Sequence, residues 1–272
     1  MKKIIRIKAL LAALVLITMI GCEKNSVGNV STEDYEGANF KFYNFALSSP
    51  TVNGYANDKK FAGILSTTGI ENAAGVVGGG VAPARGYALV PQGTNTVFKA
   101  ITPSTMPVNA TSGFGPNLTI AEVTSSVQNG KNYSFYVSGL FNKTTQKADG
   151  FIIEDTLPQP DTAASYIRLV NPGHNTSTLS LEITRTYKVD GLDVVETTTP
   201  ITGVSYKTAS PFVKVTSGSY TLKLIDLVSG KTLTRTATGF GKNRVYTFTL
   251  RGDMISGVAS SPTVFLDFTE NR

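Results

Sequence analysis

Tyr246-Thr247-Phe248-Thr249-Leu250-Arg251 puts an apolar side chain at every second position and a polar one between each pair. Successive side chains of an extended chain point to opposite faces, so Tyr246, Phe248 and Leu250 share one face and Thr247, Thr249 and Arg251 the other. The stretch reads as a half-buried antiparallel strand. Moving outward, the same period of two recurs beyond Gly37 in short β-branched and aromatic runs separated by Gly, Pro, Asn and Ser, and no stretch after Cys22 carries an amphipathic helical stripe. The expected fold class is all-β.

Self-comparison gives the organisation. Phe40-Lys41-Phe42-Tyr43-Asn44 matches Ile167-Arg168-Leu169-Val170-Asn171, each an opening strand ending in Asn. Val90-Pro91-Gln92-Gly93, then Thr96-Val97, matches Val215-Thr216-Ser217-Gly218, then Thr221-Leu222. Tyr133, Phe135, Val137 and Gly139 match Tyr246, Phe248, Leu250 and Gly252, and Phe151-Ile152-Ile153-Glu154 matches Val264-Phe265-Leu266-Asp267. The conserved order marks a duplicated domain, and the period is close to the ~100 residues of an immunoglobulin-type sandwich. The expectation is two tandem immunoglobulin-like antiparallel β-sandwiches, at 38–155 and 164–272, joined by a proline-stiffened linker at 156–163.

Ser165-Tyr166-Ile167-Arg168-Leu169-Val170-Asn171, Val204-Ser205-Tyr206 and Val215-Thr216-Ser217-Gly218-Ser219-Tyr220-Thr221-Leu222 resemble the tandem β-sandwich domains of the domain-of-unknown-function family numbered 4397. In the first half Asn95 stands where the repeat has Tyr220. The resemblance implies a secreted or envelope sandwich and brings no activity with it.

The N-terminus reads as an address. Met1 to Lys8 is basic, Ala9 to Ile20 is an apolar run of 12 residues, and Met19-Ile20-Gly21-Cys22 follows. A spanning helix needs ~20 apolar residues, so the run is a signal sequence and not a membrane span. Its end resembles the lipobox of bacterial lipoproteins, with Met19 in place of the usual Leu, which implies cleavage after residue 21 and lipidation of Cys22. Residues 22–37 then form a polar tether. Glu23 follows the Cys, where an Asp would resemble an inner-membrane retention signal, so the expected location is the outer membrane, with the face undecided.

Composition excludes much of the usual chemistry. One His and one Cys in 272 residues cannot make a Cys/His zinc site, an iron–sulfur centre or an intrachain disulfide. The formal charge of +6 shrinks once Lys2, Lys3, Arg6 and Lys8 are set aside, leaving 21 basic against 19 acidic residues and no clusters, so nucleic acid is not expected as a partner.

Individual candidates read as structural. His174, in Asn171-Pro172-Gly173-His174-Asn175, is expected to be a solvated turn histidine, since no G-x-S-x-G elbow accompanies it. Gly78-Gly79-Gly80 lacks the Lys-Ser/Thr of a phosphate loop and reads as a flexible connection. No D-x-D-x-D-G calcium loop is present. Asp149, Glu154 and Asp155 sit too close along one strand for a glycosidase pair, and Glu154 is taken as the counterpart of Asp267 at a solvated strand end. Tyr136 faces away from Tyr133 and Phe135, which makes it a candidate sugar platform, although packing is the preferred reading. Asp155-Thr156-Leu157 and Asp161-Thr162-Ala163 resemble the O-glycosylation acceptors of some Gram-negative bacteria, which nominates Thr156 and Thr162. The Asn-x-Ser/Thr sequons are set aside for a bacterial lipoprotein.

The sequence thus predicts a non-catalytic cell-envelope lipoprotein acting as an adhesion or protein-interaction module. The alternatives are an accessory glycan-binding lipoprotein of a surface polysaccharide-capture system, or a structural spacer. No cofactor and no metal are expected; the partners are the membrane, through the lipid anchor, and a protein or glycan.

Overall fold

The computed structural model describes residues 36–63, 75–256 and 262–272. Cys22, the expected signal sequence and nearly all of the expected tether lie outside the described residues. Among those described the chain is all-β, with seventeen strands and no helix.

The first half contains β1 (Ala38–Asn44), β2 (Asn53–Ala56), β3 (Lys59–Ala62), β4 (Gly80–Ala82), β5 (Ala88–Val90), β6 (Gly93–Ile101), β7 (Thr119–Val127), β8 (Asn132–Asn142) and β9 (Lys147–Glu154). The second contains β10 (Ala164–Val170), β11 (Thr178–Val189), β12 (Leu192–Ser205), β13 (Val213–Thr216), β14 (Gly218–Asp226), β15 (Thr232–Phe240), β16 (Val245–Arg251) and β17 (Phe265–Glu270). One sheet of the first sandwich runs β4-β1-β8-β9, with β5 also on β1, and the other runs β3-β2-β6-β7. The second sandwich repeats the plan as β13-β10-β16-β17 over β12-β11-β14-β15.

Pairing is antiparallel except at β1–β8 and β10–β16, which are parallel. Both exceptions join the first strand of a half to its penultimate one. So much chain separates them that a parallel return is open to both, which a hairpin turn could not provide. Their registers agree: Phe40 lies opposite Tyr133 and Phe42 opposite Phe135, as Ile167 lies opposite Tyr246 and Leu169 opposite Phe248.

Two of the matched segments are shifted in three dimensions. On β6 the inward residues are Thr96, Phe98 and Ala100, and on β14 they are Tyr220, Leu222 and Leu224. Thr96 therefore takes the place of Tyr220, and Val97 is not the counterpart of Leu222. Register irregularities lie between Gly93 and Thr96 and between Tyr220 and Leu222, and a slip of one residue reverses which side chains face the core. On β9, Ile152 pairs with Phe135, whereas on β17 it is Phe268 that pairs with Phe248. Glu154 is thus equivalent to Glu270, not to Asp267.

The cores differ in chemistry. The first is aromatic: Phe40 stacks on Phe98 with centroids 4.4 Å apart and meets Phe61 edge-on at 5.6 Å. The second is mainly aliphatic, around Ile167, Leu169, Leu181, Leu222, Leu224 and Phe248. Each such side chain contributes ~1.5–3 kcal/mol by leaving water. The Asn that ends each opening strand is wholly buried and holds the crossing chain. Asn44 Nδ2 donates to the carbonyls of Pro50 and Val76, and Asn171 Nδ2 to those of Ser177 and Val204.

Candidate functional site

Glu36–Arg272 forms one compact unit, because the outer faces of the β1 and β10 sheets pack against each other. Sequence parity assigned those faces to solvent. Instead Lys41 and Arg168 are buried. Arg168 Nη2 donates to Asp155 Oδ1, and Tyr87 donates to Asp155 Oδ2 at 2.9 Å. Asn271 Nδ2 donates to Tyr87 at 2.7 Å, Thr247 to Asn271 Oδ1 at 2.7 Å, and Arg168 Nε to Thr247 at 2.8 Å. The ring of hydrogen bonds is closed, and Ser134 adds a donor to Asp155 at 2.7 Å.

The two halves contribute equivalent positions to this seam. Lys41 lies over the Tyr87 ring and Arg168 over the Phe212 ring, at 5.2 and 4.6 Å. Ser134 bonds Asp155 as Thr247 bonds Asn271. Lys131 pairs with Glu154 at the rim as Arg244 pairs with Glu270. Lys41 Nζ donates to the Glu270 carbonyl at 2.9 Å. Burial lowers the Lys41 pKa to about 8, with Arg168 acting in the same sense and Asp155 and Glu270 opposing.

At one end the seam opens into a cleft of about 420 Å3. One wall is Gly139, Leu140, Asn142 and Asp149; the other is His174, Asn175 and Tyr206. Its floor is fixed by the Gly139 N–H donating to the Pro172 carbonyl at 3.1 Å and by Tyr206 donating to Asp149 Oδ2 at 2.8 Å. Lys207 Nζ lies 3.0 Å from the same oxygen. Burial pushes the Asp149 pKa up, but the hydrogen bonds from Lys207 and Tyr206 outweigh it and hold the carboxyl below its ordinary value. Burial holds the Tyr206 phenol above its own. Gly139 has φ +71°, and a Cβ there would lie 2.6 Å from the Tyr206 hydroxyl, so glycine is what lets the walls approach.

The sequence candidates are distributed as follows. Thr156 and Thr162 are exposed in the connecting segment, while Asp155 of the first triplet is consumed by the ring and Asp161 by Lys214 at 2.8 Å. Tyr136 is no sugar platform: it is fully buried, stacked between Tyr43 at 4.2 Å and Phe151 at 5.0 Å, because the second sandwich covers its face. Gly78-Gly79-Gly80 is a tight turn into β4, in which a Cβ at Gly79 would lie 2.7 Å from Arg251 Cδ. Glu154, Asp155 and Asp149 go to three separate partners, so no carboxylate pair forms among them. His174 lies in a turn, as the sequence suggests, and is partly exposed in the cleft wall. Asp149 and Tyr206 lie 57 residues apart, and no local motif links them. Among the described residues no group of three or more His, Cys, Asp or Glu side chains converges as a metal site would require.

A second feature stands at the far side of the second sandwich. β11 pairs with β14 only as far as Thr184, yet β11 and β12 stay paired to Val189 and Leu192. Residues 185–189 and 192–196 form a projecting two-stranded ribbon with Tyr187, Val189, Leu192 and Val195 exposed. The other edge of β12 has no strand partner among the described residues.

No family model matches the chain, and no curated protein matches it. Among solved structures, the chain is similar to a "putative cell adhesion protein" from Bacteroides ovatus, at 8% identity and TM-score 0.24, over 86% of this chain and 98% of that one. A second structure so described, from Bacteroides fragilis, gives 9% identity and TM-score 0.20, over 87% and 98%.

Proposed function

We propose that the protein is a non-catalytic adhesion or protein-interaction module of the cell envelope, held at the membrane by lipid on Cys22. The observation that carries the reading is β12, a 14-residue edge strand whose first part lies on the projecting ribbon. An open edge offers a row of backbone donors and acceptors to an extended polypeptide, and the exposed side chains beside it supply selectivity. The occupant is an extended segment of a partner protein.

A photo-crosslinking residue at Val195, in intact cells, tests this. The expected result is one discrete protein adduct, lost when Thr199→Lys places a charge on the same edge, with no adduct from the exposed position Lys231. Absence of any adduct, or an adduct indifferent to Thr199→Lys, overturns the edge reading. Cys22→Ala is expected to release the protein from the membrane fraction, and retention there sinks the lipid anchor. Protease digestion of the sandwiches on intact cells assigns the outer face; protection until the outer membrane is opened assigns the periplasmic one and removes the adhesin reading.

A further inference from the structure

We propose that the cleft between the sandwiches is a binding site for a neutral saccharide. Its volume of about 420 Å3 lies within the ~300–1,000 Å3 range of small-ligand pockets. The walls come from both sandwiches and are joined across the floor through Gly139–Pro172 and Tyr206–Asp149, so the shape exists before a ligand arrives and little ordering is needed on binding.

The chemistry of the walls selects the ligand. Asp149 is already matched by Lys207, the lining Lys147 ammonium donates to the Thr119 carbonyl, and Asp253 behind the second wall accepts from the N–H groups of Ile255 and Ser256, so no cluster of like charge selects an ion. Hydrogen-bonding capacity remains in quantity. Asp149 bonds both protein donors through Oδ2 and leaves Oδ1 to accept. Asn142 uses Oδ1 on the backbone of Thr144 and Thr145, which leaves its amide to donate. Asn175 spends one amide proton on a long 3.5 Å contact to Asp253 and keeps its oxygen. Beside these groups lie Leu140, 45% exposed, and the Tyr206 ring. A sugar ring combines apolar C–H faces with hydroxyls that each donate and accept, which is the complement of such a wall.

The test is calorimetric titration of the full chain with a panel of neutral di- and trisaccharides, paired with tyrosine emission, which no Trp obscures in this chain. At least one neutral saccharide is expected to bind with Kd below about 1 mM. Asp149→Asn should weaken it ~10-fold or more by removing a charged acceptor. Leu140→Asp should do the same by adding charge to an exposed wall position while leaving the ring of hydrogen bonds intact. Unchanged melting temperatures show that each variant folds. No binding by any neutral saccharide, binding of acidic saccharides only, or affinity indifferent to both variants overturns the assignment. The site is independent of the β12 edge, so Thr199→Lys leaves saccharide affinity unchanged, and failure of either proposal leaves the other standing.

Discussion

Arg168 and Asp155 show how little of a residue's fate its own strand decides. Their side chains are 2% and 0% exposed, and each has satisfied neighbours. Removing one member of such a pair leaves the other charged and buried, so Arg168→Ala is expected to cost ~3–5 kcal/mol in equilibrium denaturation. A loss below about 1 kcal/mol contradicts the buried ring. Lys41 gives a pH signature. Its pKa is about 8 folded and returns to the ordinary 10.5 unfolded, so between these values the unfolded chain holds more protons and stability rises with pH. Below pH 8 that gain is absent. Burial acts oppositely on Tyr43, whose pKa is pushed up to about 12, so above the ordinary 10.0 the unfolded phenol ionises first and stability falls again. Wild type should therefore gain stability from about pH 8 to 10 and lose it beyond, and Lys41→Met should lose the rising limb, as read by denaturation at stepped pH.

At the scale of the element, alternation was the dependable signal and parity the fragile one. Tyr246, Phe248 and Leu250 face the core as their spacing predicts, and the terminal Asn of each opening strand is the same buried clasp in both halves. The matches that failed did so at bulges and loops of unequal length, where one inserted residue reverses a face without any mark in composition. Phe40-Lys41-Phe42-Tyr43-Asn44 is buried on both faces, and only the position of the second sandwich makes it so. The cleft was invisible for the same reason: its acid and its phenol meet only after two separately encoded sheets have docked. The ribbon, by contrast, is locally specified. Asp190 at φ +51° and Gly191 at φ +83° form the kind of two-residue turn that matches strand twist. Gly191→Ala should cost ~1 kcal/mol or more there, visible as faster hydrogen exchange in residues 185–196 while β14 is unaffected. Equal loss of protection in both elements would show that the ribbon is not a separate unit.

For the whole molecule, the seam predicts that the sandwiches unfold together. Calorimetry on the wild type should give one transition whose calorimetric and van't Hoff enthalpies agree, and Arg168→Ala should begin to separate it into two. Two transitions already present in wild type would mean that the ring couples nothing. The reciprocity of that seam has a further meaning. Lys41 answers to Arg168, Tyr87 to Phe212, Ser134 to Thr247 and Asp155 to Asn271, which is how two identical subunits meet about a twofold axis. The polypeptide carries its own twin. Once twins have joined, neither has that surface left to offer a third, so growth into a filament through it is closed by symmetry. A gene encoding one half alone would make a protein with this face bare, and pairing with its like would be the simplest way to cover it.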